Sequence, residues 1–177
     1  HTPGVHARLK QATVGIAGVG GLGSAVAMAL ARSGVGRLIV ADYDVVEPSN
    51  LNRQQYFIDQ IGLPKVDALQ ANLRRINPCV KVAPFFGRLD RENIPQVFGR
   101  VDVLVEAFDA AEQKALLVES FLAGVPITPL VADSGMAGYA SSNSIVTRRA
   151  GSRLVLVGDG ETAARVGEGL MAPRVGV

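Results

Sequence analysis

Residues 42–55 read Asp42-Tyr43-Asp44-Val45-Val46-Glu47-Pro48-Ser49-Asn50-Leu51-Asn52-Arg53-Gln54-Gln55. Three acids come first, then amides and hydroxyls, then an arginine. Asp42 and Asp44 can accept hydrogen bonds from sugar hydroxyls. Arg53 offers a planar, permanently charged fork to phosphate oxygens. Such a loop could hold a ribose at one end and a phosphate at the other. A polar, solvated connection between a strand and a helix can have the same composition. The neighbouring elements decide between these readings.

Thr13-Val14-Gly15-Ile16-Ala17 has the composition of a short buried strand. Gly18-Val19-Gly20-Gly21-Leu22-Gly23 follows, a G-x-G-x-x-G that opens a helical segment, Ser24–Arg32. Ser33-Gly34 ends that helix, with Gly34 suited to a left-handed cap. A second strand, Arg37–Ala41, delivers Asp42 to its carboxyl end. Asp42 lies 19 residues past Gly23, the distance expected of a ribose-binding acid. Glycines let the backbone approach a phosphate closely, and free N–H groups at the helix start bind the anion. Strand, glycine turn, helix, strand and acid in this order point to a nucleotide. Which nucleotide is left open.

After the loop, Tyr56-Phe57-Ile58 and Ile61 read as a short packed piece. Gly62-Leu63-Pro64-Lys65 starts a helix whose apolar face is Val66, Leu69, Leu73 and Ile76. Lys65 is a cation at a helix start, a poor match to the helix dipole, which suggests service to a bound anion. Strands are expected at Val80–Phe85, Val101–Ala107 and Pro126–Ala132, and helices at Arg91–Phe98 (capped by Asp90) and Ala110–Ala123. Asp109 follows the strand at Val101–Ala107. Further on, Ser134–Gly138 reads as a turn, Ile145–Thr147 as a strand, Arg148–Gly151 as a turn and Arg153–Val157 as a strand. Residues 1–12 read as an arm or part of a helix. Residues 158–177, with five glycines, read as a mobile tail. The fold class expected is α/β: a Rossmann-like, mostly parallel sheet with helices on both faces and antiparallel strands added at the C-terminal part.

With 177 residues, 48% of them hydrophobic, the chain can bury one substantial core, so a single domain over 1–177 is expected. The first residue is His1 rather than Met, and either end is expected to be cut from a longer chain. No apolar run approaches the length needed to span a bilayer. Eighteen Lys and Arg against sixteen Asp and Glu give no case for nucleic acid or membrane as the main partner. One cysteine, Cys79, excludes an internal disulfide, and a reducing cytoplasm is expected.

Taken together, several ordered motifs carry a resemblance. They are Gly18–Gly23, Asp42-Tyr43-Asp44, Ser49-Asn50-Leu51-Asn52-Arg53-Gln54, Gly62-Leu63-Pro64-Lys65-Val66 and Arg75-Ile76-Asn77-Pro78. Over roughly residues 10–132 the chain resembles the ThiF/MoeB/HesA family of adenylyltransferases, relatives of the ubiquitin-activating enzymes. The hexapeptide at 49–54 and the Pro-Lys-Val at 64–66 are far more specific than the glycine turn. The run 45–56, with Gly158-Asp159-Gly160, is most similar to short ThiF-type members of thiamine biosynthesis. The resemblance implies MgATP at the carboxyl edge of the sheet and a small ubiquitin-like sulfur carrier ending in Gly-Gly. It implies attack of the carrier's carboxylate on the α-phosphorus, and a homodimer. It implies phosphate contacts from Gly21 with its neighbours Gly18, Gly20 and Gly23, and from Asn50, Arg53 and Gln54, with Lys65 beside them, and cofactor binding by Ser49 and Asn52. Ribose would be held by Asp42 with Asp44, and Mg2+ by Asp109. Arg53, Lys65 and Asp109 would serve catalysis.

The chain departs from the family pattern at several points. Ala110 stands where the family aspartate is usually followed by Asn. One cysteine cannot form the paired Cys-x-x-Cys zinc site, so no structural zinc is expected. No cysteine follows Cys79, so adenylation is supported but not a covalent link to the carrier. The arginine that larger relatives supply across the dimer is expected upstream of His1, with Arg8 and Lys10 as weak substitutes. Three other functions compete. One is adenylation of another carboxylate, on a molybdopterin-synthase carrier or a modified tRNA base. One is a nicotinamide-dependent dehydrogenase, which leaves Arg53 and Lys65 unexplained. One is a non-catalytic partner subunit, against which Arg53, Lys65 and Asp109 argue together.

Overall fold

The computed structural model describes residues 2–136 and 140–161. In chain order the elements are α1 (Pro3–Gln11), β1 (Thr13–Ala17), α2 (Gly21–Ser33), β2 (Arg37–Asp42), α3 (Lys65–Ile76), β3 (Lys81–Phe86), α4 (Asn93–Phe98), β4 (Val103–Glu106), α5 (Ala111–Gly124), β5 (Leu130–Asp133), β6 (Val146–Ala150) and β7 (Leu154–Gly158). The seven strands of the described residues join one sheet in the order β3-β2-β1-β4-β5-β7-β6. The chain moves outward from β1 to β2 and β3, then returns to place β4 on the other side of β1. That reversal opens a crevice at the carboxyl ends of β1 and β4, where open α/β sheets bind ligands.

The central strands are nearly continuous apolar runs because helices cover both faces. Leu38 and Val40 of β2 and Ile16 of β1 pack with Ala27 and Ala31 of α2 and Leu69 and Leu73 of α3. Leu104 and Leu130 pack on the other face with Ile94 and Phe98 of α4 and Leu117 and Phe121 of α5. Alanines on α2 let that helix lie close to the sheet. Gly34 closes it with φ of 89°.

The Rossmann-like expectation holds. The antiparallel pairing in the C-terminal part is that of β6 with β7, while β7 itself joins β5 in parallel. Three local expectations need correction. Arg148, Arg149 and Ala150 continue β6 rather than turn; the turn falls at residues 151–153. Residues 126–129 precede β5 as irregular chain, because Pro126 and Pro129 cannot donate to a ladder. Of the apolar residues expected to pack at 56–61, Tyr56 is buried; Phe57, Ile58 and Ile61 are exposed, as is Leu63 beside them. The arm at 1–12 contains helix α1. The expected turn at 134–138 lies partly, and the tail from residue 162 wholly, outside the described residues. Among the described residues no helix is long and apolar enough to cross a membrane.

Candidate functional site

The glycine turn between β1 and α2 is built by contact. Gly18 adopts φ of 87°, and a Cβ there would meet the Ala107 carbonyl oxygen at 2.7 Å. Gly23, in the first turn of α2, passes so close to the Gly18 carbonyl that a Cβ would lie 1.8 Å from its oxygen. These two glycines are needed by the packing itself. Gly20 is different. A Cβ at Gly20 would meet nothing nearer than Gln54 Nε2 at 3.9 Å, so the space above it is open. Gly20 is also the N-cap of α2, with no side-chain cap, and the first turn contains no acid. Its N–H groups and the positive end of the helix dipole are therefore available to an anion. Gly21 begins the helix, its carbonyl accepting from Ser24 Oγ at 3.3 Å.

Asp42 ends β2 beside this turn. Its Oδ2 accepts the Val19 N–H at 2.8 Å and its Oδ1 accepts the Asp44 N–H at 2.9 Å. Burial pushes the carboxyl above the usual value, partly offset by those two N–H groups and by the charge of Lys65. The carboxylate thus ties the glycine turn to the start of the 42–55 loop. Tyr56 makes a second tie, donating from its hydroxyl to the Val19 carbonyl at 2.6 Å. Its burial, with the negative charges of Asp42 and Asp44 near it, raises the phenol pKa far enough to keep it protonated.

The loop is braced by its own polar residues. Asn50 is buried and its Oδ1 accepts the Glu47 N–H at 3.0 Å. Ser49 Oγ reaches Glu47 at 3.4 Å. Arg53 Nη1 donates to the Ser49 carbonyl at 3.2 Å and to Asn52 Oδ1 at 2.9 Å. Its other guanidinium donors make no contact within the described residues. Gln54 is buried, and its Oε1 has no hydrogen-bond partner. Lys65 is buried as well, and its Nζ pairs with Asp44 Oδ2 at 2.9 Å. Its backbone N–H donates to the Asp44 carbonyl at 2.9 Å. The misfit of a cation at a helix start is answered within the chain by Asp44.

Asp109 lies in the segment joining β4 to α5, next to Phe108, whose ring borders Gly18. It is exposed and has no polar partner among the described residues. A partly buried ion cluster lies at the ends of β4 and β5. Lys114 Nζ donates to both Glu106 oxygens at 3.1 Å and to Asp133 Oδ1. Glu106 Oε1 also accepts the Phe108 N–H at 2.7 Å. Burial pushes Glu106 up to about 7, against the lowering effect of Lys114.

The structure therefore gathers Gly18, Gly20, Gly21, Gly23, Asp42 and Gln54 at one place. It keeps Arg53 on its own loop, pairs Lys65 with Asp44, and leaves Asp109 exposed between β4 and α5. Ser49, Asn50 and Asn52 serve the loop's own backbone and Arg53. Sequence reasoning passed over Tyr56, Ser24, Glu106, Lys114 and Asp133. Only Glu106 carried a signal, as an acid inside an otherwise apolar strand. A cleft of about 690 Å³, lined by Arg100, Asp102, Ile127 and Pro129 among others, lies at the amino ends of β4 and β5 and contains none of these groups.

A family model described as the ThiF family matches residues 3–153. The tRNA threonylcarbamoyladenosine dehydratase of Bacillus subtilis is 40% identical over 116 residues, covering 64% of this chain and 46% of that protein. The sulfur carrier protein adenylyltransferase of Thermus thermophilus is 38% identical over 122 residues, covering 68% of this chain and 45% of that protein. The chain spans less than half the length of either relative. Among solved structures, the E. coli tRNA N6-threonylcarbamoyladenosine dehydratase TcdA in complex with ATP aligns with a TM-score of 0.86 at 22% identity. That alignment covers 99% of this chain and 84% of the other, a likeness of fold.

Proposed function

Because the chain belongs to the ThiF family, we propose that it is an ATP-dependent adenylyltransferase. Its substrate is the C-terminal Gly-Gly carboxylate of a small ubiquitin-like carrier. A carboxylate oxygen attacks the α-phosphorus of ATP, the bond to the bridging oxygen of the β-phosphate breaks, and acyl-adenylate and pyrophosphate result. The observation that carries this reading is the open, uncapped start of α2 at Gly20 beside a carboxylate, Asp42, held at the end of the next strand. A phosphate chain fits the first and a ribose the second.

The remaining residues fit the same ligand. Gln54 brings its amide nitrogen, which makes no hydrogen bond among the described residues, to the space over Gly20. Arg53 keeps guanidinium donors for phosphate oxygens. Lys65 supplies a second positive charge, oriented by Asp44, and ribose falls to Asp42. For magnesium, the donor chemistry is one unpaired carboxylate, Asp109. No group of three or more acidic, His or Cys side chains among the described residues could hold a metal alone. That fits an ion shared with substrate phosphates, which is how Mg2+ is usually held. Bound there, it would neutralise charge developing on the departing pyrophosphate. The nucleophile comes from the carrier, so this chain supplies positioning and positive charge.

The carrier nominated by the motifs at 45–56 and 158–160 is ThiS-like, placing the reaction in thiazole formation for thiamine. A homodimer in a reducing cytoplasm completes the proposal. The test is pyrophosphate release from MgATP with a panel of carriers ending in Gly-Gly. Threonylcarbamoyl-modified tRNA and titrations with NAD and NADP run alongside. Release that depends on a carrier is the expected result and identifies the carrier. Release only with the tRNA would move the substrate to a nucleoside carboxylate. No release with any substrate, together with tight dinucleotide binding, would overturn the reading.

A further inference from the structure

The cluster of Glu106, Lys114 and Asp133 has no part in the chemistry above. Lys114 lies one turn into α5, Glu106 ends β4 and Asp133 ends β5. The Glu106 side chain is fully buried, and Lys114 and Asp133 keep 24% and 15% exposure. A buried carboxyl paired with a partly buried lysine and a second carboxylate is weak evidence for a stabilising role. Apolar residues of the same volume often do as well or better. Their placement suggests another use.

The segment from 106 to 114 is tethered at both ends and along one side. Glu106 holds the Phe108 N–H, and Lys114 is held by Glu106 and Asp133. Ala107 donates its N–H to the Ala17 carbonyl at 2.8 Å, and its own carbonyl is the atom that a Cβ on Gly18 would strike. Asp109 lies between these tethers in the chain, and its carboxylate makes no polar contact among the described residues. We infer that Glu106, Lys114 and Asp133 are positioning residues for Asp109. They set its carboxylate relative to the glycine turn, and so the metal-assisted part of nucleotide binding. This rests on the assignment of Asp109 to the magnesium ion.

The test uses the whole chain and separates metal-assisted from metal-free binding. ATP affinity is measured calorimetrically in excess Mg2+ and in EDTA, and Mn2+ uptake in the presence of ATP by its electron spin resonance signal. In Lys114→Met the gain in affinity that Mg2+ confers should fall at least about threefold, short of the roughly 10–100-fold of losing a group bonded directly to a metal ligand because the cluster acts through the backbone, while EDTA affinity stays within about twofold. Lys114→Arg should recover most of the gain. Should Lys114→Met fail to fold because Glu106 is left uncompensated, the double variant Glu106→Gln with Lys114→Met replaces it. An unchanged magnesium gain in either folded variant, with the gain lost in Asp109→Asn, overturns the positioning role and leaves the metal assignment standing. An unchanged gain in Asp109→Asn overturns both. Equal losses in Mg2+ and in EDTA assign the cluster to the fold alone and also overturn the inference.

Discussion

Replacing Asp42 by Asn tests the joint between fold and site. Both carboxylate oxygens are in use, one on the Val19 N–H at 2.8 Å and one on the Asp44 N–H at 2.9 Å. An asparagine amide has one oxygen and one NH2 group, so one of these backbone donors must then face another donor. The residue is 7% exposed, too little for water to take over. A buried donor left unsatisfied costs about 1–3 kcal/mol. Asp42→Asn should therefore lower stability by about 2 kcal/mol, read as a fall in urea midpoint at unchanged slope. The effect on nucleotide is separate. Each oxygen keeps a lone pair for a ribose hydroxyl, and a hydrogen bond to a charged group is worth about 1.5–3 kcal/mol, or roughly 10–100-fold in affinity. ATP binding should weaken by about that factor, and ATP should lose most of its advantage over 2′-deoxy-ATP. An unchanged urea midpoint would refute the two backbone contacts. An unchanged ratio between ATP and 2′-deoxy-ATP would refute the ribose assignment.

Gly23→Ala places a methyl group 1.8 Å from a backbone oxygen, so the turn must move. The expected loss is about 1–3 kcal/mol, typical of overpacking, with ATP affinity lost alongside; a normal melting temperature with normal binding would contradict it. Arg53→Ala should lower the rate of pyrophosphate release about 10²–10³-fold, the usual result of losing one preorganised charge. The fold should stay intact, since its guanidinium contacts only Ser49 and Asn52 of the same loop; an unchanged rate would remove Arg53 from the phosphates. Burial holds Glu106 at about 7 rather than 4.5. Between those values the folded chain keeps a proton that the unfolded chain has released, so the contribution of Glu106 to stability falls as pH rises through that window. Glu106→Gln should show a shallower decline in melting temperature than the parent chain over the same range; parallel curves would refute the shift.

The glycine turn and the acid beside it were legible because their signals are local. Gly18 and Gly23 are required within one turn of chain, and Asp42 follows at a distance set by one helix and one strand. The face of α3 was legible in the spacing of Val66, Leu69 and Leu73, all buried as expected. The piece at 56–61 misled because a run of apolar residues says nothing of whether anything covers it. Arg148 and Arg149 read as a turn because two charges beside a glycine resemble one. An edge strand exposed throughout, as β6 is, tolerates the same residues.

The amino-acid sequence by itself determined the alternation of strands and helices, the glycine turn and the acid at the end of β2. Those follow from periodicity and from backbone requirements that act over a few residues. Only the tertiary structure decided which distant groups meet. It set Lys65 against Asp44, hung Tyr56 on the carbonyl of Val19, and brought Lys114 between Glu106 and Asp133. It also inserted β7 between β5 and β6. The physical reason is that such pairings depend on the order and register of strands in the sheet. That order is chosen by the sum of packing on both faces, which no local window of sequence contains.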